Sequence, residues 1–206
     1  MGAQHHWNAQ LDSTLIDEVA MTKRYRLLAI NAAMTPQENW MKREQQHDSF
    51  TVNVDTGVAG LRGMLRTLLK DGYSFGNVVF TTHGNEGMIF FGNEVIRWND
   101  WYSAEWYGAG FDRLFPDHNT EIYFAGCNVA AGANGWKFLE ASVRTLGRTG
   151  GGGVAVGWTS AGFSWFPSGH AKHLLGSTRE VMLVGGDSLQ FFENWKRVDD
   201  GINRPT

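Results

Sequence analysis

The sequence has a single cysteine, Cys127, in 206 residues, and only four prolines. One cysteine excludes an internal disulfide framework, and it excludes zinc and iron–sulfur sites built from clusters of cysteines. The amino-terminal residues also lack the apolar segment of a signal peptide. A reducing compartment fits these two absences best, so we expect a cytoplasmic protein.

Strong charge and long apolar runs are also missing. The formal net charge is −3, so no basic surplus favours binding to nucleic acid or to an anionic membrane surface. The longest apolar runs fall far short of the roughly 20 residues that a membrane-spanning helix needs. We therefore expect no nucleic-acid partner and no membrane association.

The chain does contain enough apolar material for a core. Hydrophobic residues make up 42% of it and include nine tryptophans, and glycine is unusually frequent at 26 residues. A chain of this length forms one domain that buries a core without disulfides or metals. We expect the domain to span residues 25–196, with an extension at residues 1–24 and a polar tail at residues 197–206.

Segments typical of strands alternate along the chain with segments typical of helices. This alternation predicts an α/β fold with a mainly parallel central sheet, helices on both of its faces and a C-terminal hairpin. The predicted strands are residues 26–32, 51–55, 77–82, 121–125 and 154–157, and the predicted helices are residues 36–46, 57–70, 100–114 and 134–146. Two hairpins are predicted, at residues 88–98 around Gly92-Asn93 and at residues 180–192 around Gly185-Gly186-Asp187.

Two predicted strands end in residues that carry chemistry. The segment VVFTTHG ends at His83 and Gly84, and the segment IYFAGCN contains Gly126 and Cys127. In an open parallel sheet, ligands bind beyond the carboxyl ends of the strands. His83 and Cys127 would both emerge there if the two strands are neighbours.

A thiol and an imidazole are the minimum set for acyl transfer through a thiol nucleophile. The imidazole assists proton transfer to the leaving group, and the adjacent glycines let a substrate approach the main chain closely. The amides of Gly84 and Cys127 are candidate donors to an oxyanion. Taken singly, a buried structural cysteine and a hydrogen-bonded histidine are the simpler interpretations, but two equivalent strand ends favour a joint function.

The strand-His-Gly and strand-Gly-Cys pattern resembles the caspase-like cysteine peptidases of clan CD. The longer string YFAGCNVAAGANGWKFLEASVRTLG is similar to a bacterial caspase-like domain of large surface proteins, and the resemblance covers about residues 77–162. It implies a three-layer caspase-like fold with the sheet order 2-1-3-4-5-6, which makes the histidine and cysteine strands neighbours. It also implies His83 as general acid and base, Cys127 as nucleophile, and the Gly84 and Cys127 amides as the oxyanion site.

The resemblance places the substrate pocket in the loops after the first strand and after strand 154–157. Neither residues 31–36 nor residues 158–169 contain an arginine or a lysine, so we do not expect the strict aspartate specificity of caspases. Acidic residues near the pocket would favour a basic substrate residue instead. The candidate pocket residues are Asn31, Glu38, Asp55, Glu86, Trp158, Thr159 and Ser160.

The sequence therefore predicts a cysteine endopeptidase that acts through a Cys127/His83 dyad and an acyl-enzyme intermediate. Two other functions stay open: a catalytically silent caspase-like module that binds peptides, and a thiol hydrolase or acyl-transferase that acts on non-peptide acyl groups. A protein or peptide is the expected substrate, and control by an activating or inhibitory protein partner is open. We expect no cofactor and no bound metal, while activation by calcium stays open.

Five aromatic residues lie close together in the connection between the histidine and cysteine strands: Trp98, Trp101, Tyr102, Trp106 and Tyr107. A helix packed against the sheet explains them most simply. An aromatic wall beside the substrate cleft, or a partner surface, is the alternative.

Overall fold

The computed structural model of the protein describes residues 23–32, 49–160 and 177–198. Within these ranges the strands are β1 (Lys23–Ala32), β2 (Ser49–Val54), β3 (Tyr73–Thr81), β4 (His83–Asn85), β5 (Met88–Phe91), β6 (Glu94–Arg97), β7 (Thr120–Phe124), β8 (Gly152–Trp158), β9 (Thr178–Val184), β10 (Ser188–Glu193) and β11 (Lys196–Arg197). The helices in the same ranges are α1 (Gly57–Lys70) and α2 (Gly132–Leu146).

Eight of the strands form one mixed sheet in the order β11-β10-β9-β8-β7-β3-β1-β2. The strands from β2 to β8 are parallel, and β9, β10 and β11 are antiparallel to their neighbours. Numbered within this sheet, the first six strands have the expected order 2-1-3-4-5-6, so β3 and β7 are adjacent. The predictions of an α/β fold and of a C-terminal hairpin, formed by β9 and β10, are confirmed.

One layer of helices covers this sheet within the described ranges. The connections from β2 to β3 and from β7 to β8 step along the sheet in the same direction, and right-handed crossovers place both helices on the same face. Both helices contact the 3-10 turn Phe111–Leu114, which joins them into that layer. The expected layer on the other face depends on helix 36–46, which lies outside the described residues.

Aromatic side chains fix the central strands against α2. The rings of Phe80 on β3 and Phe124 on β7 stack with centroids 5.2 Å apart, and Phe138 on α2 meets Phe124 edge-on at 4.9 Å. Trp101 packs edge-on against Phe138 at 5.8 Å. All four side chains are completely or almost completely buried, and each contributes on the order of 2 kcal/mol through burial. The strands that lead to His83 and Cys127 therefore rest on a tightly packed core.

The prediction of a helix at residues 100–114 is wrong. The segment forms two short 3-10 turns, Asp100–Tyr102 and Phe111–Leu114, because its backbone leaves the helical region between them. Ser103 is extended, with ψ of 160°, and Gly110 is left-handed, with φ of 72°. Glycine takes that conformation at little cost, and it lowers helix propensity at the same time.

The aromatic residues of this segment divide between the core and the surface. Trp101 and Trp106 are buried, whereas Tyr102 and Tyr107 are 44% and 39% exposed. The two tyrosines line a surface depression with Gly186, in the turn between β9 and β10. That turn lies at the amino end of β8, so the exposed aromatic residues do not form a wall beside the predicted cleft.

Other elements lie close to their predicted positions. Helix α1 has the predicted bounds, α2 begins two residues earlier than predicted, and the hairpin of β5 and β6 surrounds Gly92-Asn93 as expected. Strand β4 was not predicted, although it contains His83. Within the described residues the main sheet runs from Lys23 to Arg197.

Glu180 is a buried acid on β9. Its Oε1 atom has no hydrogen-bond partner among the described residues. Burial, with a smaller contribution from Glu121, raises the pKa of the Glu180 carboxyl above its ordinary value. The folded protein therefore keeps this proton at pH values at which the unfolded chain has lost it.

We expect Glu180→Gln to be more stable than the wild type at neutral pH and close to it below about pH 4. Because the folded state binds the proton more tightly, wild-type stability falls as the pH rises through the ordinary carboxyl pKa towards the raised one. Glutamine keeps the shape and has no charge to bury. Urea unfolding of the wild type and Glu180→Gln at both pH values measures the difference. If the substitution shifts the urea midpoint equally at both pH values, the buried charge of Glu180 does not explain the effect.

Candidate active site

The carboxyl ends of β3 and β7 bring His83 and Cys127 to the same level of the sheet. The register pairs Phe80 with Phe124, and the amide of Ala125 donates a hydrogen bond to the Phe80 carbonyl at 2.9 Å. His83 and Cys127 each follow their member of the Phe80–Phe124 pair by three residues. Both therefore lie at the edge of the sheet where α/β proteins bind their ligands.

The main chains that carry the two residues are in direct contact. A methyl group built on Gly84 would lie 2.8 Å from the carbonyl oxygen of Cys127, and one built on Gly126 would lie 3.2 Å from the amide nitrogen of Gly84. Side chains larger than hydrogen would push these segments apart. The two glycines therefore permit the close approach of these two main-chain segments.

His83 and Cys127 differ in their access to solvent. His83 is exposed at the start of β4, where it pairs with Phe90 of β5, and the hydroxyl of Thr82 donates to the His83 carbonyl at 2.9 Å. Cys127 forms no disulfide and is half-buried. His83 is therefore open to solvent, whereas Cys127 is partly sheltered.

The chain turns sharply immediately after the thiol. Asn128 has φ of 55°, in the left-handed region, where asparagine is better tolerated than other residues with a side chain. Its amide donates to the carbonyl of Ser160, and its carbonyl accepts from the amide of Ala131, both at 2.9 Å. This turn separates the cysteine from α2 and presents Cys127 at a bend rather than within a helix.

We expect Asn128→Val to lower the free energy of unfolding by about 2 kcal/mol, because a β-branched residue is strained at positive φ. Asn128→Gly adopts the same backbone without strain, and we expect it to stay within about 0.5 kcal/mol of the wild type. Chemical denaturation of the three proteins measures the difference. Equal stability of the valine and glycine variants would show that the turn carries no strain.

The main-chain amide of Gly84 does not bond to β5. Glu86 and Gly87 form the two-residue turn between β4 and β5, so the closing pair Asn85–Met88 is hydrogen-bonded and the next pair, Gly84–Ile89, is not. The Gly84 amide therefore points away from β5, towards the side on which Gly126 lies. This orientation agrees with the role that the resemblance implies for it.

The loop after β8 holds the chain that follows Cys127. The carbonyl of Trp158 accepts a hydrogen bond from the amide of Ala130 at 2.9 Å, and Ser160 accepts the bond from Asn128 described above. The structure therefore places Trp158 and Ser160, two of the predicted pocket residues, against the loop that follows Cys127. Thr159 lies between them, and its hydroxyl accepts from the amide of Ser177 at 2.8 Å.

The indole of Trp158 is fixed by a second aromatic residue. Its Nε1 donates to the hydroxyl of Tyr123 at 2.5 Å. Burial, opposed in part by this hydrogen bond, raises the pKa of Tyr123 to about 12. The tyrosine therefore stays protonated at neutral pH, and it orients one wall residue of the candidate pocket.

Asn31 and Asp55 are not brought to the thiol. Asn31 is completely buried on β1, where its Nδ2 donates to Asn53 Oδ1 at 3.2 Å, so its side chain binds the neighbouring strand rather than lining an open pocket. Asp55 is exposed just after β2, the edge strand. Three strand spacings of about 4.8 Å separate β2 from β7, roughly 14 Å in all. Glu38 lies outside the described residues.

Glu86 lies near the cysteine loop but faces the start of α2. The amide of Gly87, in the same turn, donates to the Val129 carbonyl at 3.0 Å. A methyl group on Gly132, the first residue of α2, would overlap the Glu86 carboxylate. A negative charge is favoured at a helix amino terminus, so this placement gives Glu86 a structural partner as well as proximity to the site.

Arg179 supports the site and was not predicted from the sequence. Its Nη1 donates to the carbonyls of Ala130 at 2.9 Å and Gly132 at 2.8 Å, on the segment between Cys127 and α2. The guanidinium lies 4.6 Å from the ring centroid of Trp136 and 3.6 Å from Glu193 Oε1. These partners are distant in sequence, so no local pattern indicates the contact.

We expect Arg179→Met to lower the free energy of unfolding by about 2 kcal/mol, because two carbonyls lose a charged donor. Arg24→Met is the matched control: its ion pair with Asp117 is exposed, and its loss should cost less than about 1 kcal/mol. Denaturant unfolding of both variants measures the difference. Equal losses would mean that Arg179 does not fix the cysteine loop.

The described ranges contain no helix that is long and apolar enough to cross a membrane. In the same parts of the chain, no three histidine, cysteine, aspartate or glutamate side chains are grouped as metal ligands would be. No model of a known protein family matches this sequence, and no curated protein matches it. The site therefore has to be interpreted from its own residues.

Proposed function

We propose that the protein is a cysteine endopeptidase with the three-layer fold of the caspase-like enzymes. The observation that supports it most directly is the contact between the Gly84 and Cys127 main chains at the carboxyl ends of β3 and β7. This contact joins the two segments that carry the Cys127 thiol, the His83 imidazole and the Gly84 amide, at one edge of the sheet. Thiol-based acyl transfer needs these three groups together.

The reaction proceeds in two halves. The Cys127 thiolate attacks the scissile carbonyl carbon, and the amides of Gly84 and Cys127 donate to the oxyanion that forms. The carbon–nitrogen bond breaks as His83 gives a proton to the departing amine, which leaves a thioester on Cys127. Water then attacks the thioester and gives a proton to His83. The acid product leaves, and the free thiol returns.

The substrate in this proposal is an extended protein or peptide without a required aspartate. The wall at residues 158–160 carries no arginine or lysine to pair with an acidic side chain. Glu86 is acidic and exposed near the cysteine loop, which favours neutral or basic substrate residues. A cytoplasmic location and control by a protein partner belong to the same proposal.

A peptide-library digest analysed by mass spectrometry tests the function. The wild type and Cys127→Ala are incubated in parallel, each with and without calcium. We expect cuts in the wild-type sample that disappear in the variant, and we expect iodoacetamide to abolish them, because Cys127 is the single cysteine. Cuts that persist in Cys127→Ala would overturn the assignment of the nucleophile.

The same samples separate the other two functions. Peptides that bind Cys127→Ala but remain intact with the wild type would identify a peptide-binding module. Hydrolysis of acyl thioesters or aryl esters by the wild type, with peptides intact, would identify an enzyme for non-peptide acyl groups. Either result would replace the endopeptidase proposal.

A further inference from the structure

The most exposed large hydrophobic side chain in the described ranges is the indole of Trp195, at 78%. Trp195 and Asn194 form the two-residue turn between β10 and β11, closed by the pair Glu193–Lys196. Both turn residues have positive φ, 49° at Asn194 and 65° at Trp195. An indole is therefore held out in solvent by a backbone conformation that disfavours it.

Turns of this kind strongly favour Asn-Gly, because both central residues need positive φ. Asparagine at the first position fits that preference, whereas tryptophan at the second strains the backbone and buries little of its own surface. Neither packing nor turn chemistry explains Trp195. A strained, exposed aromatic residue of this kind is typical of a binding site.

The Trp195 turn lies at the same edge of the sheet as Cys127. Strand β10 is antiparallel to β9, which is antiparallel to β8, so the end of β10 and the end of β8 share this edge. The amide of Asn194 donates to the Thr178 carbonyl at 3.0 Å, and its Nδ2 donates to Ser177 Oγ at 2.9 Å. These bonds fix the turn to the segment that leads into β9.

A chain of hydrogen bonds connects this turn to the cysteine loop. Ser177 bonds the hydroxyl of Thr159, and the neighbours of Thr159 bond the main chain at Asn128 and Ala130. The position of Trp195 relative to the thiol is therefore set by three short segments that hold one another. A rigid position is what a residue needs in order to select among substrates.

The spacing suits an extended peptide. Strand β10 is three strands from β7, which corresponds to roughly 14 Å at about 4.8 Å per strand. An extended chain advances about 3.4 Å per residue. A peptide held at Cys127 and running across β8 and β9 would therefore reach Trp195 about four residues from the scissile bond.

We infer that Trp195 is a specificity-determining residue that binds an apolar or aromatic side chain of the peptide substrate, about four residues from the bond that Cys127 cleaves. The inference rests on the proposed peptidase function. The exposed indole offers a flat apolar face, which matches an uncharged planar or branched side chain better than an ionised one.

The test compares the wild type with Trp195→Gly. Glycine relieves the positive φ, so this variant should fold, with a melting temperature about 2–4 °C higher. Two sets of peptides are used, built on a sequence that the wild type cuts, with phenylalanine or alanine at each position from three to five residues on either side of the bond. Tyr102→Ser, which removes an exposed aromatic side chain at the opposite edge of the sheet, is the matched control.

We expect the wild type to prefer phenylalanine over alanine about tenfold in kcat/KM at one of these positions. The ratio of kcat/KM for the phenylalanine peptide to that for the alanine peptide should fall to about one in Trp195→Gly and stay about tenfold in Tyr102→Ser. An unchanged preference in Trp195→Gly, with cleavage still dependent on Cys127, would overturn the inference alone. The absence of any Cys127-dependent cleavage would overturn the peptidase function itself.

Sedimentation velocity of the same proteins tests whether Trp195 contacts a second copy of the chain instead of a substrate. If Trp195 instead contacts a second copy of the chain, the wild type will form a dimer that Trp195→Gly lacks. That result would overturn the substrate role. A monomer in both cases, together with the loss of preference, supports it.

Discussion

We expect His83→Ala to lower kcat/KM for a cleaved peptide by about a thousandfold or more, and Cys127→Ala to lower it to the background rate. The register of β3 and β7 places the two residues at one level of the sheet. Loss of the imidazole removes both the proton donor to the leaving amine and the acceptor for the attacking water. Fluorogenic peptide hydrolysis measures the two variants.

His118→Ala is the matched control for the histidine. His118 is exposed and precedes β7, so it lies at the amino edge of the sheet, opposite Cys127. We expect its kcat/KM to stay within about twofold of the wild type. A loss in His118→Ala as large as that in His83→Ala would show that general destabilisation, and not proton transfer, accounts for the effect.

Alkylation of the thiol gives a second readout that needs no substrate. Since the chain has one cysteine, the rate of iodoacetamide incorporation reports Cys127 alone. In the proposed dyad the imidazole accepts the thiol proton as the sulfur attacks, so we expect slower alkylation in His83→Ala than in His118→Ala near pH 7. Identical rates in the two variants would contradict a working dyad.

The same substitution, glycine to alanine, has opposite effects in the two helices. Gly135→Ala lowers the free energy of unfolding by about 3 kcal/mol or more, because a methyl group there would overlap the main-chain carbonyl of Ala130 and lie 2.7 Å from its Cα. Gly135 is buried at the start of α2, so the helix has to move away from the cysteine loop.

Gly63→Ala raises the free energy of unfolding by about 0.5–1 kcal/mol. Gly63 is exposed in α1, and nothing lies within 4 Å of the position that a methyl group would take. Alanine there reduces the conformational freedom of the unfolded chain without a clash. Denaturant unfolding of Gly135→Ala and Gly63→Ala measures both changes in the free energy of unfolding. If both variants are stabilised or both destabilised, the contact between Gly135 and Ala130 is not as close as described.

Much of the architecture could be predicted because it follows local rules. Apolar residues at helical spacing define α1, and the glycine-asparagine pair in the β5–β6 turn marks a hairpin. The segment at residues 100–114 was mispredicted because Trp98, Trp101, Tyr102 and Trp106 follow the i, i+3, i+4, i+8 spacing of one helix face, while Gly108 and Gly110 allow turns instead. Burial of Trp101 and Trp106 outweighs the weak helix propensity there.

The residues of the candidate site also fall into those that the sequence could predict and those that it could not. His83 and Cys127 could be predicted because each follows an apolar strand and lies beside a glycine, which is a local pattern. Arg179 and Trp195 could not be. The role of Arg179 depends on carbonyls at Ala130 and Gly132, and the strain at Trp195 depends on strand pairing that closes only in the folded chain.

The sequence by itself determined which reactive groups are present: one thiol, a histidine at the end of a predicted strand, and a glycine beside each of them. It also determined the alternation of strands and helices, because hydrophobic periodicity acts over a few residues. Only the tertiary structure decided which strands are neighbours. The strand order brings Gly84 into contact with Cys127 and leaves Asp55 three strands away from β7. Such contacts join residues distant along the chain, and their geometry comes from sheet order and packing, which no local pattern contains.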